Sequence, residues 1–345
     1  MRAYVLPIAG LATWLDALRR SRVLIAPTRD ADGIVSFRPV QDLDEIAADC
    51  LNPNEPAKTV FFPPSETLFR YEKLGARPPT IVAPQPDGQP FVLFGCRLCD
   101  AAALRSLDDL FLDGDGDPYY RARREASLVI AATCEEPGPE CFCEAMGNLL
   151  SQPQGADVVL TRCGDRYLAQ AWTGKGQAAI DEAAHAFREA ADEDLKAQDD
   201  VVGQVVQQQR RPLIARIAEQ VAQAFDDEGF WQRVSRACLS CGICSYLCPS
   251  CTCFDMMDDA IGDEGHRFRC WDSCQFEAFC VEASGHNPRA DGWQRLRQRV
   301  AHKLWFSVER FGHVSCVGCG RCIRLCPVNI DISQIIEQLQ DHGNA

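Results

Sequence analysis

The chain has 345 residues, enough for two or three domains with real cores. Its 46% hydrophobic and 24% charged composition is that of an ordinary globular protein, so the twenty cysteines are not needed as staples and, lying in clumps, read as reduced thiols carrying chemistry in a cytoplasmic setting. A net charge of -14 opposes phosphate backbones and anionic lipid, which argues against nucleic acid and membrane surfaces as partners.

The uncharged run 3–15 imitates a signal peptide, but Pro7 and Gly10 interrupt it and Asp16, Arg19 and Arg20 follow at once. A strand and an amphipathic helix over about 11–20 are the better expectation. No other stretch reaches the roughly 18 uninterrupted apolar residues of a membrane span. Next come an apolar strand at 23–26, a turn at 29–33 and a strand at 34–38. Cys50 stands alone among apolar neighbours and reads as buried filler. The aromatic, proline-rich stretch 61–69 fits either a rigid packed loop or a segment that covers a cofactor or docks a partner.

Two strands then run straight into cysteines. Residues 91–95 lead into Cys96-Arg97-Leu98-Cys99-Asp100 and a helix over 101–110, and residues 128–133 lead into Cys134, with Cys141-Phe142-Cys143 one loop further on. If the strands are parallel neighbours, both cysteine loops open on the sheet edge where α/β sheets place ligands. Five thiols can then converge, enough for an iron-sulfur cluster. Strand, Cys-x-x-Cys, helix is also a thioredoxin-like arrangement, so a redox dithiol is the rival. The intervening Asp113-Gly114-Asp115-Gly116-Asp117 fails as a calcium loop, because Pro118 and Arg124 stand where Gly and Glu are required.

A β-hairpin is expected over 157–169, with Cys163 at its turn, and Ile180, Phe187 and Leu195 mark one amphipathic helix carrying a surface His185. The polar, Gln- and Asp-rich stretch 197–211 reads as a linker. It divides an α/β domain, 1–196, from a second domain, 212–345. Pro212 opens a helix with Leu213, Ile217, Val221 and Phe225 on its apolar side.

The second domain carries one spelling twice: Cys238-x-x-Cys241-x-x-Cys244-x-x-x-Cys248-Pro249 and Cys316-x-x-Cys319-x-x-Cys322-x-x-x-Cys326-Pro327. This is the spacing of bacterial two-cluster ferredoxins, in which three thiolates hold one cluster and the fourth crosses to the other. Structural zinc sites instead close a tetrahedron with two short hooks. Crossed ligation places Cys238, Cys241, Cys244 and Cys326 on one cluster, and Cys316, Cys319, Cys322 and Cys248 on the other. The insertion between the motifs carries Cys251, Cys253, Cys270, Cys274 and Cys280, and Cys251 and Cys253 are close enough in sequence to replace Cys248. Gly242, Gly318 and Gly320 are expected to let backbone approach the clusters. The insertion itself reads as a packed elbow, or else as a surface that supports the clusters or docks a partner. The basic run Arg295, Arg297, Arg299, His302, Lys303 reads as a solvated helix face. Asp331 is the expected N-cap of a closing helix carrying Ile332, Ile335, Ile336 and Leu339.

Taken together, Phe62-Pro63-Pro64-Ser65-Glu66, Arg97-x-Cys99-Asp100, Cys141-Phe142-Cys143, Cys248-Pro249-Ser250-Cys251-Thr252-Cys253-Phe254-Asp255, Trp271-Asp272-Ser273-Cys274, Gly285-His286-Asn287-Pro288-Arg289 and the final ferredoxin motif resemble the iron-sulfur beta subunits of soluble NAD(P)-linked nickel-iron hydrogenases, or sulfhydrogenases. The corresponding iron-sulfur subunit of anaerobic sulfite reductase belongs to the same group. The resemblance runs from about residue 60 to the end. It implies an electron-transfer subunit between hydrogenase large and small subunits and a flavin subunit that handles NAD(P)H. It also implies a third 4Fe-4S cluster, with Cys99, Cys134, Cys141 and Cys143 as the best ligand set. Cys96 departs from the family pattern, which leaves Cys96 and Cys99 both open as the ligand from that loop.

The resulting expectation is an α+β protein, an α/β domain followed by a mostly helical two-cluster ferredoxin-like domain. It would be a cytoplasmic, hetero-oligomeric electron carrier with three 4Fe-4S clusters and no catalytic residue of its own. The alternatives are the same carrier role in an anaerobic sulfite reductase and, from another class, a stand-alone cysteine- or flavin-based reductase using the N-terminal loops.

Overall fold

The computed structural model describes residues 2–73, 78–147, 150, 152–210, 212 and 214–342. The chain is α+β. Its strands among these residues are β1 (Arg2–Pro7), β2 (Val23–Arg29), β3 (Val35–Pro39), β4 (Ser65–Glu72), β5 (Thr80–Val82), β6 (Phe91–Arg97), β7 (Ser127–Ala132), β8 (Val158–Cys163), β9 (Arg166–Ala171), β10 (Arg188–Glu189), β11 (Phe254–Ile261) and β12 (Glu264–Trp271). They form two sheets.

The larger sheet has the order β10-β1-β9-β8-β7-β6-β2-β3. Its centre, β2, β6, β7 and β8, is parallel, and its flanks are antiparallel. Central strands such as Leu128-Val129-Ile130-Ala131 are apolar without alternation because helices cover both faces. On one face the helix Gly10–Leu18 buries Trp14, Leu15 and Leu18, and the Trp14 indole nitrogen donates to Ala179 O at 2.7 Å. On the other, the helix Leu98–Phe111 packs Leu98, Leu104 and Leu107 against Leu93, Val129 and Val159.

The smaller sheet, β11-β12-β4-β5, joins distant parts of the chain, because β4 comes from the N-terminal region and the β11–β12 hairpin from the insertion between the ferredoxin motifs. Arg269 on β12 pairs with Glu66 on β4 and with Asp117, and Arg123 also reaches Glu66. The first part of the insertion is thus a strand pair, which the reading of its turn residues as a packed elbow does not include. Its polar composition conceals the strands, since β11 is exposed along nearly its whole length and shows no apolar alternation.

Two further expectations change. Ile180, Phe187 and Leu195 do not share a helix: helix Gly174–Asp181, a 3-10 turn Ala184–Ala186 and β10 intervene before helix Asp192–Gln208. Edge pairing of Arg188 and Glu189 with β1, and Phe187 packed edge-on against Trp14, outcompete the helical continuation. The stretch 197–208, which its composition marks as linker, lies within that long helix. Gln198 bonds Thr161 and Gln170, and Val205 is fully buried, so the helix is held by contacts that its polar composition hides.

Around the ferredoxin motifs, helices Ile217–Ala224, Glu228–Ser235, Gly292–Ala301 and Ile332–His342 enclose Trp231, Val300, Leu304 and Ile336. Leu213 and Arg211 lie outside the described residues. Asp331 caps the last helix, accepting from Ser333 N at 2.8 Å, and pairs with Arg210 at 2.5 Å. Among the described residues no helix is long and apolar enough to cross a membrane.

Candidate metal centres

The first ferredoxin motif turns through Gly242, whose φ of 78° is left-handed, into the short helix Ile243–Tyr246. The second does the same through Gly320, at φ 74°, into Arg321–Arg324. Each tight turn aims successive thiols at one side of the chain, as three ligands of a cuboidal cluster require. Cys238, Cys241, Cys244 and Cys326 line one small cavity, closed by Pro327. Cys322 borders it too. Cys316, Cys319, Cys322 and Cys248 face one another electrostatically as a second group.

The glycines act differently from expectation. At Gly318 a Cβ would stand 2.6 Å from the Phe142 carbonyl carbon, and at Gly320 2.9 Å from that of Glu140. What approaches them is the Cys141–Cys143 loop, which also donates Phe142 N to Gly318 O at 2.9 Å. Beneath Gly242 lie the Phe276 ring and Ser273.

That loop brings the N-terminal thiols onto the second motif. The parallel register Arg97↔Ala132 ends β6 and β7 side by side, so Cys99 in the first turn of its helix and Cys134 after β7 open on one edge. Cys99, Cys134, Cys141 and Cys143 line one cavity together with Cys319 and Gln209. Gln209 Nε2 donates to the Cys143 sulfur at 3.3 Å. Cys96 is elsewhere, fully buried among Leu93, Leu98 and Val129 in the sheet core. Burial pushes both the Cys96 and Cys99 thiols up, with Asp100 adding to it, the reverse of an activated dithiol. Cys50 lines a different cavity, with Phe94 and Arg97, Cys163 ends β8, and Cys280 accepts from Arg289 Nε at 3.0 Å.

Several contacts that fix this arrangement are not evident from the sequence. Asp100 and Arg321, both 0% exposed at the side chain, form an ion pair at 2.7 Å between the N-terminal helix and the second motif. Arg321 Nε also donates to Pro53 O at 2.8 Å, and Asn52 Nδ2 to Cys319 O at 3.0 Å. Arg97 grips Leu51 O and Cys50 O at 2.6 Å each. Lys58 is buried, donates to Cys251 O at 2.9 Å and lies 4.1 Å from the Trp271 ring centre. Phe61 and Phe62 beside it are fully buried, Phe62 against Phe254 and Trp271, so that aromatic stretch ties the N-terminal region to the insertion.

The basic run departs furthest from expectation. Arg295, Arg299 and Lys303 are 7%, 3% and 3% exposed, not solvated. Their spacing of four puts them on one inward helix face, and the π-turn His302–Phe306 widens the backbone there. Arg297 instead covers the Phe225 ring at 4.2 Å. The i, i+4, i+8 spacing marks the inward face, but reading the five basic residues as one run obscures it. Burial alone would pull the Lys303 ammonium down, yet the Cys248, Cys251 and Cys316 sulfurs hold it well above its ordinary value. Arg299 is raised in the same way by Cys244 and Cys322, and its Nε and Nη2 find no partner among the described residues.

The donor set fits iron-sulfur clusters. Burial pushes Cys244 and Cys319 up to about 12 and Cys316 up to about 11, so without metal these thiols stay protonated and cluster insertion must displace the protons. Once the thiolates form, buried cations and orphaned guanidinium nitrogens offset a negative body placed among them. Among the described residues no three His, Cys, Asp or Glu side chains are arranged around a single ion.

Comparison with known proteins agrees with this chemistry. Residues 237–330 match the model of a 4Fe-4S dicluster domain. Over 307 residues, 88% of this chain and 89% of the relative, the sequence is 29% identical to sulfhydrogenase 2 subunit beta of Pyrococcus furiosus.

Proposed function

We propose that the chain, which is similar to a sulfhydrogenase beta subunit, is an iron-sulfur electron-transfer protein that carries three 4Fe-4S clusters and relays electrons between the large and small subunits of a nickel-iron hydrogenase and a flavin subunit that handles NAD(P)H. It does so within a cytoplasmic hetero-oligomer. The ligand sets are Cys238, Cys241, Cys244 and Cys326; Cys316, Cys319, Cys322 and Cys248; and Cys99, Cys134, Cys141 and Cys143.

One observation carries the proposal: the Cys141–Cys143 loop lies directly on Gly318 and Gly320, with Cys319 in the same cavity as the N-terminal thiols. Three thiol sets are thereby contiguous, as a relay needs. When bound, the clusters supply one-electron storage. The protein residues hold them and exclude water: Asp100 and Arg321 clamp the N-terminal set to the second motif, and Arg299 and Lys303 place fixed positive charge beside the C-terminal thiols. Such charge favours the reduced, more negative state of a neighbouring group. The N-terminal domain, 1–196, supplies one set of ligands and the remainder, 212–345, the other two.

Anaerobic purification of the complex tests the proposal. Hydrogen- and NAD(P)H-dependent dye reduction by the co-purified proteins is the expected result. A siroheme spectrum in the partner would overturn the hydrogenase assignment in favour of sulfite reduction. Chain-bound flavin with intact thiol-dependent turnover would overturn the carrier role altogether.

A further inference from the structure

The ligand sets above leave five cysteines of the insertion unused, and three of them lie together. Cys251, Cys253 and Cys274, all half-buried, line a cavity of about 310 Å³ beside the ferredoxin core. Cys253 and Cys274 are in side-chain hydrogen-bond contact, as are Cys251 and Cys248. The same wall carries Arg299 and Lys303. Among the described residues Arg299, 3% exposed, keeps two guanidinium nitrogens without a partner, and Lys303 Nζ donates to the neutral Ser250 Oγ at 3.0 Å. Cations this buried are stabilised by negative charge, and the open volume beside them leaves room for an anionic group. Three thiols and a cationic wall together select a thiolate-bound, negatively charged metal group, and the three sulfurs do not close around a single ion.

We propose that this cavity holds a fourth iron-sulfur cluster, bound by Cys251, Cys253 and Cys274, with one iron lacking a cysteine ligand. Three thiolates from a Cys-x-Cys pair and a cysteine after β12 hold it. Exposed His302 and Arg310 also border the cavity, so the site communicates with solvent. The cluster extends the relay towards the surface formed by the insertion. Cys248 stays with the second ferredoxin set and touches the new one through Cys251.

The test uses the full chain, prepared anaerobically, with iron and sulfide counted in wild type and in Cys253→Ser/Cys274→Ser. Wild type should hold about sixteen of each, and the variant should lose about four. A variant that retains the wild-type content overturns the inference. Parallel counting in Cys99→Ser/Cys143→Ser separates this result from failure of the N-terminal cluster, since an unchanged count there removes that cluster and leaves the insertion site standing. Should the insertion variant fail to fold, wild type decides alone. One equivalent of ferricyanide should take one electron from the cluster as its cysteine-free iron leaves as Fe²⁺, producing the EPR spectrum of a three-iron cluster. No three-iron spectrum from wild type overturns the inference.

Discussion

In each ferredoxin motif, three thiols of a set come from one short run of chain, whereas the N-terminal set draws Cys99 from a helix start, Cys134 from the end of β7 and Cys141 and Cys143 from a separate loop. Local geometry, a left-handed glycine followed by one helical turn, assembles the first kind. Parallel pairing of β6 and β7, together with docking on Gly318 and Gly320, assembles the second. Such a site depends on the sheet and on the interface, and it should fail when either is disturbed, while the local sites survive.

Variants can break or sharpen that contrast. The largest effect is expected from Cys143→Ser, which should remove one whole cluster, about four irons, while leaving the EPR of the two C-terminal clusters unchanged. Iron content far below that, with all spectra lost, would show that the sites do not assemble separately. Asp100→Ala strands Arg321 as an unpaired cation at a side chain that is 0% exposed. A loss of about 3–5 kcal/mol is expected in denaturant unfolding followed by cluster absorbance, and a loss well under about 1 kcal/mol would deny the clamp.

Gly318→Ala and Gly312→Ala form a matched pair. Both positions are left-handed, at φ 60° and 77°, but a Cβ at Gly312 meets nothing within 4 Å whereas one at Gly318 collides with Phe142 backbone. Gly312→Ala should cost about 1–2 kcal/mol from backbone strain alone. Gly318→Ala should cost more and also lower N-terminal cluster occupancy; equal costs would mean that the loop docks loosely. The smallest effect is expected from Lys303→Met. Removing the buried charge should lower the potential of a C-terminal cluster by on the order of tens of millivolts in a redox titration, with iron content unchanged. An unchanged or raised potential would sink the electrostatic role.

The doubled Cys-x-x-Cys-x-x-Cys-x-x-x-Cys-Pro run, the two strands leading into Cys96 and Cys134, and the β8–β9 hairpin are legible in the sequence, because each is set by residues within a few positions of one another. The parallel pairing of β6 and β7 enters the sequence reading only as a condition, and the sheet register supplies it. The inward face of Arg295, Arg299 and Lys303 is written in their spacing of four, but charge argues for solvent, and only the thiol-lined interior shows why burial is tolerated.

By itself the sequence determined which cysteines sit on tight ferredoxin turns and that their spacing suits iron-sulfur clusters, since turn geometry and thiol spacing are local properties. Tertiary structure alone decided that Cys99 meets Cys143 while Cys96 enters the core, that β4 completes a sheet with β12, and that Asp100 pairs with Arg321. Each of those is a contact between residues far apart in the chain. Such contacts are chosen by burial and charge compensation in three dimensions, and they leave no periodic mark on the sequence.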